Sequence, residues 1–514
     1  MGRGLLGSRC EVVLRTIGRR ATSLANAQDS EFLLYSTLDK RKLPLRMRSK
    51  NLVTWYSCGP TVYDEPHIGH AFCYVRFDLI RRALERSGIS VVYAMNVTDI
   101  DDKIIERSQQ LGVGWEQVAR TYEAAFFDDM VALNVRLPSL VLRATEHMGE
   151  IVRFIEELLR LGFAYSTSLG VFFDTAKDAA YPRFSGIEDS GPTGVKRNSR
   201  DFALWKSAKP GEPSWPSPFG PGRPGWHIEC SAMASKVFGA NLDIHSGGKD
   251  LIFPHHENEE AQCCAYYGST RWANHYVHAG HIRLGNNKMS KSLGNVITIK
   301  SFLKEHSADQ FRMLCLRSLY RNDLQYAPNV LTESAATLSK INQVLADSTD
   351  YLRGRFSVDL DESDLLRALD GSRKTVDESL TDDFNFARAT NSVVSLSQVL
   401  ARGLQPTDEP RQAASHYVTV ATVSDFIRDF FCSMGLRLAT GDASSNFDDL
   451  TYKSVVEKSV DFRFSVRQAA LSMEKGELRK QLLNTCDSFR QGLHTEGILV
   501  KDNPDRSSWS FTGK

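Results

Sequence analysis

The stretch Leu52-Val-Thr-Trp-Tyr-Ser-Cys-Gly-Pro-Thr-Val-Tyr-Asp-Glu-Pro-His-Ile-Gly-His70 predicts the central unit of the fold. Its first six residues are β-rich and end at Cys-Gly-Pro, which is a turn signal. Residues 69–87 carry apolar side chains at helical spacing, and residues 89–97 form a nearly continuous apolar run, typical of a buried parallel strand. Strand, helix and strand in this order predict an α/β sheet with a ligand at the carboxyl ends of its strands.

Further along, the chain shows shorter patterns and then a long helical part. Residues 116–165 carry apolar stripes at helical spacing, and residues 207–225 are dense in Pro and Gly, which predicts a loop. Residues 241–248 resemble a strand followed by a tight turn, whereas residues 330–500 are mostly helical with few turn signals. The sequence therefore predicts an α/β domain followed by a separate all-α domain.

The composition limits the class of protein. With 514 residues the chain is too long for one core, and its 42% hydrophobic and 24% charged residues are ordinary for a globular protein. Lys and Arg number 63 against 62 Asp and Glu, so RNA binding would depend on local patches. Nine cysteines in so long a chain indicate free thiols in a reducing compartment. No apolar run reaches the roughly 18 residues that a membrane span needs.

The first 28 residues differ from the rest of the chain. One acid, Glu11, stands against five arginines interleaved with apolar residues: Arg3, Arg9, Arg15, Arg19 and Arg20. An arginine-rich, acid-poor, amphipathic start is typical of a mitochondrial transit peptide. The arginines interrupt the apolar stretch that a secretory signal requires. The alternative interpretation is a disordered basic tail.

Four residues from distant parts of the chain have the donor chemistry of a zinc site: Cys58, Cys230, His255 and Glu259. His255 and Glu259 are four residues apart, so on a helix they share one face. Their neighbours His256 and Glu257 compete for the same roles, and only the spacing favours the outer pair. Each cysteine could instead be a buried apolar residue, and the His-Glu pair could be a surface pair on a helix.

Two further motifs suit nucleotide phosphates. Pro66-His-Ile-Gly-His70 lies between the first strand and the following helix, whose free N–H groups favour an anion. Gly69 would let a phosphate or a flat ring approach the backbone. Lys288-Met-Ser-Lys-Ser292 places two lysines in a loop flanked by Gly and Asn, where they could stabilise a pyrophosphate leaving group. Alone, each motif could be structural: a capping His-x-x-His or a solvated basic loop.

Together these motifs resemble the cysteinyl-tRNA synthetases, a class I family. The resembling stretches are 58–64 with 67–70, 96–104, 200–206, 222–233, 253–259 and 288–292. The resemblance runs from about residue 33 to the end of the chain, and with the basic start the sequence looks like a mitochondrial member. It implies ATP-dependent ligation of L-cysteine to tRNA(Cys) through cysteinyl-adenylate, by a monomer of the mitochondrial matrix that binds no membrane.

The resemblance also implies roles for particular residues. The zinc ligands of the family fall on Cys58, Cys230, His255 and Glu259. Its cysteine pocket is similar at Thr98, Trp226 and Asp250. Catalytic roles fall on His67, His70, Lys288 and Lys291. ATP binding, with Mg²⁺ brought by the phosphates, falls on Gly69, Met289, Ser290, Lys291 and Ser292. The implied zinc selects cysteine over serine, because zinc holds a thiolate well and an alcohol poorly at neutral pH.

The implied fold is a Rossmann-like parallel-sheet catalytic domain with an inserted connective subdomain, followed by an all-α helical-bundle C-terminal domain. The implied regions are a transit peptide at 1–28, a catalytic domain split between 29–115 and 220–300, an inserted connective region at 116–219, a stem-contact linker at 301–355 and a helical anticodon-binding domain at 356–514.

The sequence departs from the family pattern at Ser246, at Glu106 and in the Lys-Arg-Asn-Ser-Arg loop before Asp201, where the family often has a proline. Ser246 stands where the family has the first of three glycines, which predicts only a local effect. Some members are proposed to form cysteine persulfide with pyridoxal phosphate, but Glu106 stands where a second lysine after Lys103 is expected, which argues against that cofactor here.

Three other functions fit part of the sequence. A related ligase that joins cysteine to an amino-sugar shares the motifs but acts on a small acceptor, and the long helical part favours tRNA. A zinc hydrolase would leave the nucleotide motifs unexplained, and the chain has no His-Glu-x-x-His. A degenerate synthetase kept as an RNA-binding protein would have no reason to retain both nucleotide motifs.

Overall fold

The computed structural model describes residues 28–184, 194–284, 287–288, 296–407, 415–438, 449–496, 498–502 and 507–511. The chain forms two compact units, residues 1–438 and residues 439–514. The predicted transit peptide, apart from its last residue, and Met289, Ser290, Lys291 and Ser292 of the lysine loop lie outside the described residues. Within the described part, no helix combines the length and apolar composition that a bilayer span requires.

Strands and helices alternate through the first unit. The first elements are β1 (Gln28–Ser36), β2 (Arg41–Met47), β3 (Leu52–Ser57), α1 (Ile68–Arg86), β4 (Ser90–Val97), α2 (Asp102–Leu111), α3 (Trp115–Ala132) and β5 (Leu140–Arg143). They are followed by α4 (Met148–Arg160), β6 (Ala164–Thr167), β7 (Gly170–Phe173), β8 (Phe202–Ser207) and β9 (Gly222–Pro224). Next come α5 (Trp226–Phe238), β10 (Leu242–Gly248), α6 (Glu257–Tyr267), β11 (Ala273–Ala279), β12 (Ile282–Leu284), β13 (Asn287–Lys288), α7 (Ile299–Glu305), α8 (Ala308–Leu316) and β14 (Leu324–Tyr326). Four helices complete the unit: α9 (Pro328–Leu352), α10 (Glu362–Thr381), α11 (Phe386–Gly403) and α12 (Ser415–Ser433).

The core of the first unit is a five-stranded parallel sheet in the order β11-β10-β3-β4-β5. The chain winds outward from β3 through β4 to β5, and later from β10 to β11. The strand order therefore reverses between β3 and β10, and in such sheets ligands bind at the carboxyl ends of the strands at that point. This confirms the predicted parallel α/β sheet.

Local sequence explains the first βαβ unit. The predicted strand at 52–57 and helix at 69–87 are β3 and α1, and the predicted strand at 89–97 is β4. Gly88 has φ +79°, a left-handed conformation that glycine adopts without strain and that turns the chain from the helix into β4. The predicted helix end at Ser87-Gly88 is thus confirmed.

The prediction of helix throughout residues 116–165 is wrong at Leu140–Arg143 and at its end, where β6 begins at Ala164. Leu140–Arg143 is β5, the edge strand of the parallel sheet, and it pairs with β4. A strand of four residues is too short to show a period, so its Leu-Val-Leu merges with the flanking helical stripes. The parallel sheet thus includes a strand within the predicted connective region. The rest of that region contains a separate antiparallel sheet in the order β6-β7-β8-β9, and the Pro- and Gly-rich stretch links β8 to β9.

A buried charge cluster fastens α1 to α8, and we name Asp78, Arg82 and Arg312 the Arg312 cluster. Arg312 is fully buried and donates to the carboxylate of Asp78, which also accepts a 2.7 Å hydrogen bond from Nε of Arg82. Three backbone carbonyl oxygens accept from the Arg312 guanidinium at 2.8–3.1 Å, those of Leu133, Asn134 and Met434. Burial alone would raise the pKa of Asp78, but the two arginines lower it.

The second unit contains α13 (Asp449–Ser472), α14 (Glu477–Thr495), β15 (Ile498–Asp502) and β16 (Ser507–Phe511). Together with α9 to α12, these helices confirm the mostly helical pattern predicted for residues 330–500. The two strands pair antiparallel, and their apolar face packs on α13. Arg463 is buried and forms a bidentate pair with Asp502, with N–O distances of 2.6 and 3.0 Å. Hydrogen bonding to Arg463 holds the pKa of Asp502 at about 2.

Candidate functional site

The four predicted metal ligands meet at the carboxyl ends of β3 and β10. Cys58 directly follows β3, and Cys230 lies in the first turns of α5. His255 precedes α6, and Glu259 lies in the first turn of that helix. Each of the four is at most 4% exposed. The strand order explains this meeting, because it places the start of α6 beside the end of β3 at the reversal point.

Distances between these side chains are those of a metal site. Sγ of Cys58 lies 3.7 Å from Sγ of Cys230 and 3.4 Å from Oε1 of Glu259. Nε2 of His255 lies 3.0 Å from the same Oε1. All four donor atoms are within 4.8 Å of one another. We name Cys58, Cys230, His255 and Glu259 the outer set, and its donors fit the ligand types that zinc prefers.

A second group of donors shares two members with the outer set. Cys58, His245, His256 and Glu259 also have donor atoms within 4.8 Å of one another, and all are buried. We name these four residues the inner set. The i, i+4 spacing favours His255 over its neighbour His256, but both imidazoles lie in the cluster. The backbone before α6 is irregular, with Phe253 extended at φ −138° and ψ 134°.

Hydrogen bonds fix the orientation of the imidazoles. His245 contacts the backbone oxygen of Tyr56 through Nδ1, at 3.1 Å, and Oε2 of Glu259 through Nε2, at 2.8 Å. Nδ1 of His255 lies 2.8 Å from Nδ1 of His227. Metal-binding histidines in proteins are held in this way, since a partner for the second ring nitrogen sets the tautomer and the ring plane.

The cluster holds its protons unevenly. Burial raises the pKa of Cys58 well above its usual value. Burial would also raise the pKa of Cys230, but the S–H of Cys58 and the charge of His255 lower it to about 6. Burial would lower the pKa of His255, yet Glu259 and Cys230 raise it to about 10. At neutral pH the metal-free cluster therefore holds Cys58 as a neutral thiol and His255 as a positively charged imidazolium.

One member of the outer set, Cys58, opens onto a cavity of about 340 Å³. Cys58 lines it, together with Trp226 and Asp250, two of the three residues predicted to bind cysteine. The indole of Trp226 stacks on the ring of His255 with centroids 4.2 Å apart, so it forms a wall beside the cluster. Thr98 is not in the lining, because its hydroxyl is buried and donates to Oε2 of Glu229 at 3.2 Å.

The predicted nucleotide motif His67–His70 lies on the same cavity, at the start of α1. Nδ1 of His67 accepts from the backbone N–H of Gly69 at 3.1 Å, and Nδ1 of His70 accepts from the backbone N–H of His67 at 3.2 Å. The two rings stack with centroids 3.9 Å apart. Because each Nδ1 accepts, a neutral ring carries its proton on Nε2 and offers that N–H as a donor.

The chain segment that leads to the lysine motif begins at the edge of the cavity. Ile282 lines the cavity and begins β12, which pairs with β13, where Arg283 faces Lys288. The described structure thus places the backbone of Lys288, though not its side chain, one strand away from the cavity wall.

Two features of the glycine-rich end of β10 explain its composition. A Cβ on Gly247 would lie 2.9 Å from Nε2 of His256, so only glycine fits there. Ser246, the departure from the family pattern, has an oxygen that accepts from the indole N–H of Trp55 at 2.7 Å. The serine is therefore accommodated by one hydrogen bond inside the sheet, in line with the local effect predicted for it.

Several residues of the site were not predicted. His245 of the inner set belongs to the Ile-His-Ser-Gly-Gly stretch, whose pattern indicated a strand but no ligand. Glu229 and Tyr56 lie beside the predicted cysteines, and their types gave no signal of a site. Lys103, considered only for pyridoxal phosphate, lines the cavity, with its ammonium 5.5 Å from the ring centre of Tyr63.

Comparison with known proteins identifies the class first. Residues 44–336 match the model of the tRNA synthetases class I (C) catalytic domain. Among solved structures, the chain is similar to a methionyl-tRNA synthetase of Mycobacterium tuberculosis bound by methionyl-adenylate, with a TM-score of 0.56 and 16% identity over 76% of this chain and 98% of that one. At this identity the likeness shows the fold alone. The protein has the fold of a class I aminoacyl-tRNA synthetase.

Sequence relatives identify the family. The chain is 41% identical to a probable mitochondrial cysteine–tRNA ligase of Xenopus tropicalis, over 95% of this chain and 90% of that protein. It is 36% identical to a cysteine–tRNA ligase of Thermococcus gammatolerans, over 93% of this chain and 98% of that protein. A cytoplasmic cysteine–tRNA ligase of Dictyostelium discoideum is 35% identical. The chain belongs to the cysteine–tRNA ligase family of class I enzymes.

Proposed function

We propose that this enzyme ligates L-cysteine to tRNA(Cys) at the expense of ATP. In the first step the cysteine carboxylate attacks the α-phosphate of ATP, forming cysteinyl-adenylate and releasing pyrophosphate. In the second step a terminal ribose hydroxyl of the tRNA attacks the activated carbonyl, and AMP leaves. The observation that carries this proposal is one cavity that is lined by Cys58 of the thiol-rich outer set on one side and by the start of α1 on the other.

The outer set supports selection of cysteine. Two thiols, an imidazole and a carboxylate, all buried, fit a zinc ion by the chemistry of their donor atoms. Zinc held there would supply a bond to the substrate sulfur, which a serine hydroxyl does not replace at neutral pH. A pocket that judges size alone would distinguish these amino acids by only about 10- to 200-fold. Trp226, stacked on His255, would close the pocket beside the sulfur.

The start of α1 supports binding of ATP. The Nε2–H groups of His67 and His70 would donate to phosphate oxygens at a helix N-terminus that already favours anions. Gly69 has no room for a Cβ, which would lie 2.8 Å from the His67 ring, so the packing of that ring on the first turn of α1 depends on glycine. Lys288 and Lys291 would stabilise pyrophosphate as it leaves, and Mg²⁺ would enter with the phosphates.

We also propose that the enzyme acts in the mitochondrial matrix, with residues 1–28 as its transit peptide. The arginine-rich start supports this, as does the similarity to a relative named as mitochondrial. The helices of residues 356–514 would read the anticodon, as the family resemblance implies, and the enzyme would act as a monomer.

Pyrophosphate exchange tests the first step. The purified full chain should exchange pyrophosphate into ATP when cysteine is present, and far less when serine replaces it. Cys230→Ser should lose tightly held zinc on desalting and raise the KM for cysteine much more than the KM for ATP. Cys432→Ser changes an exposed thiol far from the outer set and serves as the matched control. Normal zinc content and cysteine selection in Cys230→Ser would show that the outer set is misassigned.

A second variant tests the lysine motif separately. Lys291→Ala should slow adenylate formation while the zinc content and the KM for cysteine stay near those of the unmodified enzyme. An unchanged exchange rate would remove Lys291 from the reaction without affecting the assignment of the outer set.

The choice of acceptor needs its own measurement, because a ligase that acts on an amino-sugar would share the exchange activity. Radiolabelled cysteine should be transferred to a tRNA(Cys) transcript and not to a small amino-sugar. Transfer to the sugar alone would replace tRNA as the proposed acceptor.

A further inference from the structure

A second cavity, of about 530 Å³, lies between α3 and the carboxyl ends of β4 and β5. We name it the α3 groove. Trp115, Glu116 and Arg120 line it from α3, and Asp99 and Arg143 line it from the sheet. Among the described residues assigned to cysteine, ATP or zinc, none lines this groove. We propose that the α3 groove binds one cytidine of the unpaired 3′ end of the tRNA, which rests on tRNA as the acceptor of the proposed function.

The α3 groove adjoins the cavity in which cysteine would be activated. Asp99 follows β4, and the residue before it, Thr98, is bonded through its backbone to the turn after β3. The N–H of Thr98 donates to the oxygen of Pro60 at 3.1 Å, and the N–H of Val62 donates to the oxygen of Thr98 at 3.3 Å. Pro60 also lines the cavity of the proposed reaction. A tRNA whose terminal ribose enters that cavity therefore has its preceding nucleotides within reach of the groove.

The floor of the groove is a set of paired charges. Arg143 donates to both carboxylate oxygens of Glu123 at 2.6–2.9 Å and to Glu146 at 3.1 Å. Asp99 accepts from the backbone N–H of Thr145 at 3.0 Å and from the hydroxyl of the same residue. Glu123 and Asp99 are each 7% exposed. Three of the four described acids that line the groove thus have partners inside the protein, so a ligand would meet the groups above them.

Two charged groups at the rim of the groove are left open. Glu116 and Arg120 are both exposed and lie four residues apart on one face of α3. That spacing permits an ion pair, yet neither side chain has an ion-pair or hydrogen-bond partner among the described residues. Trp115 precedes Glu116, and its ring packs edge-on with that of Trp215, with centroids 5.8 Å apart. The rim therefore presents an aromatic ring, one hydrogen-bond acceptor and one cation within two turns of α3.

These three groups match the parts of a cytidine nucleotide. Bases stack on aromatic side chains, and a guanidinium binds phosphate oxygens. The N4 amino group of cytosine donates to a carboxylate, which is how Asp and Glu recognise this base. The unpaired 3′ end of a tRNA carries two cytidines before its terminal adenosine. Uracil has the acceptor O4 in place of the amino group, so Glu116 should distinguish the two pyrimidines.

A polyamine is the alternative occupant, because four carboxylates line the groove against two guanidinium groups. The pairing of these charges favours the nucleotide. Asp99, Glu123 and Glu146 already accept hydrogen bonds, so the open charges are one carboxylate and one guanidinium without an excess of either sign. Arg120 would also repel a polycation that entered beside it.

Charging of tRNA(Cys) transcripts tests the proposal through base specificity. Each of the two cytidines at the 3′ end is replaced singly by uridine, and kcat/KM for cysteine transfer is measured with the full chain. We expect one of the two uridine transcripts to lose about 10-fold, because its O4 would face the carboxylate of Glu116. Glu116→Gln should lose activity with the natural transcript and regain most of the loss with that uridine transcript, since its amide N–H donates to O4. A Glu116 that only supports the fold would not exchange one preference for the other.

Arg120→Ala tests the phosphate contact. We expect the KM for tRNA to rise about 10-fold, because a charge-assisted hydrogen bond is lost. The rate of cysteine-dependent pyrophosphate exchange should stay unchanged, because exchange involves no tRNA. The matched control is Arg153→Ala, which removes an exposed arginine of α4 that is paired with Glu150 outside the groove and should alter neither quantity.

Equal losses with the uridine transcripts in the unmodified protein and in Glu116→Gln, or no loss in either, overturn the cytidine site. An unchanged KM for tRNA in Arg120→Ala overturns it too. Spermine that competes with tRNA in the unmodified protein but not in Glu116→Gln would identify a cation site instead. Loss of pyrophosphate exchange in either variant also overturns the proposal, since the groove would then serve adenylate formation. Failure of the proposed function looks different: the unmodified protein would show no exchange or would not charge the natural transcript.

Discussion

Two buried charge clusters in the same unit differ in what they leave unpaired. In the Arg312 cluster, carboxylate and guanidinium groups pair with one another, and backbone carbonyls take up further N–H groups of Arg312. At the end of β3, by contrast, two thiols and a carboxylate face imidazoles, and among the described residues Nε2 of His256 has no hydrogen-bond partner. Buried charge alone therefore does not mark a functional site. A better sign is a buried cluster in which thiol, imidazole and carboxylate donor atoms outnumber the N–H, O–H and S–H groups that could pair with them.

Removing Arg312 should give the largest change in stability. Arg312→Met leaves the buried carboxylate of Asp78 with less compensation and strips three backbone carbonyls of their donor. We expect the free energy of unfolding to fall by about 3–5 kcal/mol in urea denaturation, while zinc content per folded molecule stays unchanged. The control is Arg388→Met, whose ion pair with Glu378 is about half exposed and should change stability by less than about 1 kcal/mol. If folded Arg312→Met lost its zinc, the claim that the Arg312 cluster serves stability and not metal binding would be wrong.

Zinc binding should release protons from the outer set. The Arg312 cluster should release none in the same titration. At pH 7 the metal-free cluster holds one proton on Cys58, whose pKa is raised well above its usual value, and one on His255, whose pKa is about 10. Cys230, with a pKa of about 6, is already a thiolate. A zinc ion bound by the outer set displaces both protons, so affinity should rise with pH by about 100-fold per unit near neutrality. Calorimetry in buffers of different ionisation enthalpy measures the proton count. A count near zero would mean that the ligands are ionised before the metal arrives.

Removing the hydrogen-bond partner of a metal ligand should reduce zinc affinity less than removing the ligand itself. His227→Ala removes the group that lies 2.8 Å from Nδ1 of His255. We expect zinc affinity to fall by about 10- to 100-fold, or about 1.4–2.8 kcal/mol, because the ring of His255 loses its fixed orientation. Competition with a chromophoric chelator measures this, and His494→Ala, an exposed histidine of α14, provides the control. Unchanged affinity would indicate that packing against Trp226 alone orients His255.

The ion pair of Arg463 and the partly exposed Asp502 should give the smallest change in stability. Arg463 holds the pKa of Asp502 at about 2, below the usual value of 3.8. Because the folded pKa is depressed, the stabilisation is complete above about pH 4 and is lost as the pH falls toward 2. Asp502→Asn should lower the stability of the second unit by at most about 2 kcal/mol at pH 7 and remove that part of the acid dependence. Hydrogen exchange of α13 and α14 in the full chain reports it. Asp461→Asn, an exposed acid of α13, is the control.

The sequence predicted the parts of the fold that have a strong local period. β3, α1 and β4 follow from apolar runs and a Ser-Gly stop, whereas β5 at Leu140–Arg143 has too few residues to show a period and is defined by its pairing with β4. The sequence did not predict the inserted antiparallel sheet, because its strands are too short to show a period and because β7 pairs with β8, which is distant in the chain.

The candidate site was predictable where donor type and motif coincide. Cys58 and Cys230 lie inside stretches shared with the family, and the spacing of His255 and Glu259 brings their side chains together as expected. His245 could not be predicted, because it contributes to the cluster only when β10 lies beside β3. For the same reason the sequence could not show that the hydroxyl of Thr98 donates to Glu229.

The pairing of β3 with β10 has a consequence for how the protein matures. Their paired residues, such as Trp55 and Ile244, are separated by the whole inserted region and by β4, so this contact closes a long loop and should form late in folding. Cys58 stays far from Cys230 and Glu259 until that closure. A chain that has folded only its first strands therefore lacks a complete metal site. Tight metal retention would distinguish fully folded molecules from arrested folding intermediates.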